Sequence, residues 1–435
     1  MGVFTQLLGS LGGTLAAYGV YRLLKLVFME LTSPLRNLPG PKNPSIIWGN
    51  LKEMREEMTI EDALLNRWVE AHGTTFKYHG ILGMSRLHTL DPTALNHILM
   101  KTDIYQKADA TRYILSSIVG AGVLVVEGDK HKQQRKVMNP AFSPSQIREL
   151  TQIFVAKSIQ LRDVLVADNA SQGGISRVEV MSWLSKATLD IIGLAGFNYE
   201  FDSLNPSGEE NELSAAFASL FASSTKPSII PMLRAWFPFF RFLRDEKDGE
   251  AKQSSQTMAR IGNQLLRESK ASIHDKSEWK SRDLLSLLVK SNMATDLPEN
   301  KRMSDQDVLD RESTGTSWAL YALSVNKGVQ DKLRQELLSV DTENPTMDEL
   351  NALPYLDMVV REILRLHSPV ASTLREAMQD DIIPLSNPWT DSKGVVHDTI
   401  RVRKGQAVRI PILGINHSSA FWGTDAQTFR YVSVL

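Results

Sequence analysis

Two small sets of side chains in this 435-residue chain combine types and spacings that could hold a charged group. Glu362 and Arg365 stand three residues apart, so on a helix they lie on one face. A guanidinium is always charged and presents a planar fork to a carboxylate. Arg375 follows on an extended segment beyond Pro369. His131 and Arg135, four apart, share a face of a basic stretch. The chain has no cysteine, so its residues offer neither a disulfide nor a thiolate metal site. It also has no Gly-x-Gly-x-x-Gly, no phosphate loop and no His-Glu-x-x-His zinc helix.

The elements that would carry these residues can be read from periodicity. Tyr355, Val359, Ile363 and Leu366 recur at helical spacing, and Pro369 ends that helix because its ring blocks continuation. Taken alone, Glu362/Arg365 reads as an exposed pair contributing roughly 0.3 kcal/mol. The second set sits in Gly120 to Ser143, GAGVLVVEGDKHKQQRKVMNPAFS. There Gly128-Asp129 turns the chain into a basic helix that Asn139-Pro140 ends, and the plain reading is a solvated basic face.

Taken together, the Asn351–Ala377 run and the Gly-Asp-x-His…Arg-Lys…Asn-Pro-Ala-Phe string resemble the K and C helices of the cytochrome P-450 haem-thiolate monooxygenases, fungal microsomal type. The resemblance implies a mainly α fold with small β-sheets and haem as cofactor. It implies a structural ion pair at Glu362 and Arg365, and haem-propionate contacts from His131, Arg135 and Arg375. The implied reaction inserts one oxygen atom of O2 into an apolar small molecule. An NADPH-dependent reductase supplies the electrons, and fungal-type wording points toward secondary metabolism.

Composition sets the frame. With 49 Lys+Arg against 50 Asp+Glu, the net charge of -1 argues against a nucleic-acid partner. Gly2 to Tyr21 is uncharged and apolar, though five glycines dilute it, and Arg22, Lys25 and Arg36 follow. About 20 apolar residues suffice to span a bilayer. This predicts a single-pass anchor over residues 1–31 in the endoplasmic reticulum membrane, with the body cytoplasmic. The same residues also read as a buried amphipathic helix. Residues 32–45, with Pro39-Gly40-Pro41 and Pro44, resemble the family's proline-rich hinge, leaving 46–435 as the P-450 domain.

Further along, helices are expected over Glu61–His72, Asp91–Met100, Gln146–Leu165, Val180–Gly193 and Ala251–Ser269. Strands are expected at Thr75–His79 and Arg86–Leu90, and around a Lys404-Gly405 turn within Val395–Val408. The aromatic and arginine-rich stretch Pro227–Arg244 reads as core or as an interfacial segment. It matches the family's F–G region.

The resemblance breaks at two places. Met303 to Val340 should hold the family's central helix, with its acid and threonine that relay protons. Here Glu312-Ser313-Thr314 either stands in for that triplet or marks the join across a deleted signature. The deletion is the preferred reading, and it shortens the helix by about 18 Å. At the other break, Tyr431-Val432-Ser433-Val434-Leu435 replaces the family's Pro-Glu-Arg segment and haem-binding cysteine loop. Thiolate ligation is what favours O–O cleavage in this class. The chain is therefore expected to be an incomplete member, truncated at the C-terminus and inactive as written, or else a truncated or mis-spliced remnant without haem. No residue is expected to bind a metal. His367 and His417 read as ordinary loop or surface histidines.

Overall fold

The computed structural model describes residues 2–56, 61–205, 208, 211–225, 229–245, 248–274, 283–294, 309–391 and 393–429. In chain order the first elements are α1 (Gly2–Leu31), α2 (Leu51–Glu56), α3 (Glu61–His72), β1 (Thr75–His79), β2 (Ser85–Thr89), α4 (Pro92–Met100) and β3 (Tyr105–Gln106). A long helical run follows: α5 (Asp109–Val119), α6 (Gly128–Met138), α7 (Pro144–Ser171), α8 (Val180–Phe197), α9 (Glu212–Thr225) and α10 (Ile229–Trp236). It continues through α11 (Asp248–His274), α12 (Leu284–Ala294), α13 (Leu309–Val325), α14 (Lys327–Leu337), α15 (Met347–Asn351) and α16 (Pro354–Leu366). The last elements are β4 (Thr373–Ala377), β5 (Asp381–Thr390), β6 (Val396–Val402), β7 (Ala407–Ile410), α17 (Ile412–Asn416) and α18 (Ser419–Trp422). The fold is mainly α with two small sheets. It divides into one unit of residues 1–108 and 370–426 and a second of 109–369 and 427–435.

The first unit is built on a five-stranded sheet in the order β1-β2-β7-β4-β3. Only the β2–β7 pairing is parallel. Side chains alternate across the pleat, so the sheet can feed two separate cores. Leu87, Val408 and Ile410 join Leu95, Ile98, Ile383, Ile400 and Val402 in one cluster. Phe76 and Tyr78 join Met54, Leu64, Leu65 and Trp68 in another. The strands flanking the Lys404-Gly405 turn do not form a hairpin with each other. β6 pairs with β5 in a separate two-stranded sheet, whereas β7 has both edges filled by β2 and β4. Near the start of this unit Gly40 is required by close approach: a Cβ there would stand 1.9 Å from the Lys77 carbonyl oxygen. The Lys77 N–H donates to the Pro39 carbonyl at 2.9 Å, which lays the proline-rich segment against β1.

Asp91 joins two distant stretches of this unit. Its carboxylate caps α4 by accepting the Ala94 N–H at 3.0 Å, with Pro92 pre-set for the first turn. It also accepts from the Ser386 N–H at 2.9 Å, the Ser386 hydroxyl at 2.7 Å and the Asn387 N–H at 2.9 Å. A second carboxylate, Asp381, meets His97 at 2.7 Å, the Tyr105 hydroxyl at 2.9 Å and Lys101 at 3.4 Å. Burial works to raise the Asp381 carboxyl, but the hydrogen bonds from His97 and Tyr105 outweigh it and hold it below the usual carboxylate value.

The N-terminal expectation needs correction. No helix among the described residues is long and apolar enough to cross a membrane, which overturns the single-pass anchor and the placement built on it. α1 has the length, 30 residues. It lacks the apolarity, because glycines alternate with Gln6, Ser10 and Thr14, and Arg22, Lys25 and Glu30 follow. Its C-terminal end is tied to the sheet unit instead. Glu30 accepts the Ser85 N–H at 2.9 Å and also the Ser85 hydroxyl. Just beyond it, Arg403 donates to the Thr32 hydroxyl at 2.8 Å, and Gln406 to the Ser33 hydroxyl at 2.6 Å.

The second unit is helical. α8 ends on Asn198 in the left-handed region, φ 51°. Buried Asp190 on the same helix accepts the N–H groups of Ser203 at 2.7 Å and Leu204 at 3.2 Å. α13, α14 and α16 meet over Ala322, Val329, Leu333, Tyr355, Val359 and Ile363, with Phe429 packed against them. α10 and the turn Pro238–Phe242 carry the aromatic stretch, where Phe237, Phe239, Phe240 and Phe242 contact one another edge to face. Two of its arginines are engaged: Arg234 with Asp248, and Arg241 with Asp109 at 3.4 Å and over the Tyr113 ring at 4.2 Å.

Two measurements test this account of the sheet unit. Asp91→Ala removes a helix cap together with three further charge-assisted bonds. It is expected to cost more than the ~1 kcal/mol of an ordinary cap, which denaturant unfolding would read. His88 is 1% exposed and stacks on Phe76 at 4.4 Å. Burial first, then the neighbouring Arg409 charge, pushes its imidazole down to about 3. The unfolded chain takes up that proton near pH 6.5 and the folded chain does not. Stability is therefore expected to fall as pH drops from about 6.5 toward 3, by up to roughly 5 kcal/mol. His88→Phe keeps the stack and flattens this slope; an unchanged slope in the variant rules out His88 as its source.

Candidate functional site

The central piece is α16. Pro354 opens it, and the Glu336 carboxylate of α14 accepts the orphan N–H groups of Tyr355 at 2.9 Å and Leu356 at 2.8 Å. That remote cap also places negative charge at the positive end of the helix. The apolar face then buries Tyr355, Val359, Ile363 and Leu366.

Glu362 and Arg365 share this buried face, their side chains only 2% and 6% exposed. The guanidinium forks the carboxylate, Nε to Oε2 and Nη2 to Oε1, both at 2.8 Å. Nη2 also donates to the Thr428 carbonyl at 3.3 Å. At this depth the pair differs in kind from a surface salt bridge. Desolvating two charges costs several kcal/mol each, and only close, bidentate geometry offsets that.

Past the end of α16, His367 lies flat on Trp318 of α13, ring centroids 4.3 Å apart and planes within 3°. This is a packing contact. His417 closes α17, its N–H donating to the Leu413 carbonyl at 2.9 Å. Among the described residues no cluster of three or more His, Asp or Glu is placed to hold a metal ion.

The remaining candidates fall as follows. His131 and Arg135 both lie on α6, the first half-buried and the second exposed. Between them Gln134 is buried and donates to the Ala121 carbonyl at 3.2 Å. Arg375 belongs to the sheet unit, at the centre of β4 opposite Val408. Its Nη1 donates to the Thr373 hydroxyl at 2.9 Å and to the Leu374 carbonyl at 3.3 Å. Glu312 and Thr314 fall within α13, and their side chains lie outside the described residues, as do residues 295–308 and 430–435. The sequence reading did not find Glu336, Thr428 or the Trp318–His367 stack. Nothing in their local spacing marks them, since their partners lie 19, 63 and 49 residues away.

The Cytochrome P450 family profile matches residues 39–432. The chain belongs to the cytochrome P450 family. Cytochrome P450 monooxygenase 205 of Postia placenta is 47% identical over 441 residues, covering 97% of this chain and 81% of that relative. Cytochrome P450 monooxygenase 128 of the same fungus is 44% identical, covering 96% and 80%. Cytochrome P450 monooxygenase claQ of Ampulloclitocybe clavipes is 34% identical, covering 98% and 79%.

P450 proteins are haem-dependent and work with a small-molecule substrate and a redox partner. The residues of this chain meet only part of what haem needs. Arg135 is an exposed cation able to meet a carboxylate, and His131 adds a ring nitrogen on the same helix. For the iron, however, the donor set lacks the thiolate, since none of the 435 residues is a cysteine. These residues therefore do not fit a thiolate-ligated haem.

The fork makes its own prediction. Glu362→Ala leaves a buried guanidinium without its carboxylate and is expected to cost ~3–5 kcal/mol in denaturant unfolding. Glu362→Met with Arg365→Met together removes both charges and is expected to cost far less. Equal losses in the two variants would mean that packing, and not charge compensation, sets the value.

Proposed function

We propose that this fold serves the insertion of one oxygen atom of O2 into an apolar small molecule, and that these 435 residues alone do not carry the reaction out. The zero cysteine count in a chain matched to the family over residues 39–432 supports this reading most directly. His131 and Arg135 on α6 and Arg375 on β4 are assigned to cofactor carboxylates. Glu362 and Arg365 are assigned a structural role, locking α16. Glu312 and Thr314 are the remaining candidates for proton handling. The deletion reading of the central helix, which puts a direct join at these residues, weakens that assignment. An NADPH-dependent reductase is the redox partner this reading requires, and a fungal secondary metabolite the substrate class.

A second reading, a non-catalytic remnant without haem, is supported by α13. Trp318, Tyr321 and Val325 on its outer stripe are 41%, 57% and 63% exposed, while Ala319, Ala322 and Leu323 pack inward. The C-terminal half of α13 thus carries apolar side chains on its exposed stripe as well as its packed one, and a stripe of that kind ordinarily faces a core.

One spectrum separates these readings. The purified 435-residue polypeptide, reconstituted with haem, reduced with dithionite and exposed to carbon monoxide, is expected to give no Soret band of the thiolate type. A thiolate-type band would overturn the proposal. A histidine-type band would keep the iron but contradict the remnant reading. Absence of any haem band after desalting fits the remnant.

A further inference from the structure

No further inference is drawn: the strongest candidate, the open groove along α7 floored by Ile159, Val164 and Ala167 and walled by Trp183 of α8, carries nothing because nothing in the structure shows what covers it.

Discussion

A guanidinium and a carboxylate buried together on one helix constrain everything packed around them. In water the pair Glu362/Arg365 would contribute almost nothing. Inside, each charge depends on the other, and a small misplacement would leave one uncompensated at a cost of several kcal/mol. The neighbourhood is accordingly specific. Glu336 fixes the start of α16 through two backbone N–H groups, and α13 and α14 pack its apolar face. The Thr428 carbonyl takes a further donor of Arg365. Residues of α13 and α14, with Thr428 and Phe429, thus pack around α16 and its fork.

The sheet unit follows a different logic. Its carboxylates sit at joints between stretches far apart in sequence. Asp91 caps α4 while holding the backbone at Ser386 and Asn387, and Asp381 gathers His97, Lys101 and Tyr105. Each is satisfied by several donors, which is the condition for burying an acid. His88 is the exception on the opposite face of the sheet, a ring kept neutral between Phe76 and Arg409. Two apolar clusters, together with these polar joints, let a short mixed sheet be stable within this unit.

The scaffold of a P450 protein is present over most of its length, with close fungal relatives. The sulfur that gives the family its oxygen chemistry is absent from these residues. On α6 the exposed Arg135 is a solvated cation, whose place costs the fold little. The buried fork is different, since losing either member destabilises the fold whether or not any chemistry occurs.

Local signals carried a large part of the architecture. The proline-stopped helix of Glu362 and Arg365, the Asp91-Pro92 start of α4, the β1–β2 pair and the basic helix of His131 and Arg135 all follow from spacings of two to four residues. The missing thiol is a matter of composition and needed no coordinates. Hydrophobic content misled at α1, where enough apolar residues were scattered among too many glycines and charges to make a membrane-crossing helix. Tertiary structure decided what depends on partners remote in the chain: that β6 and β7 part into different sheets, that Arg365 reaches Thr428, that His367 stacks on Trp318, and that the fork is buried at all. Periodicity says which residues share a face. Burial is a property of what packs against that face, and those atoms come from elsewhere in the chain.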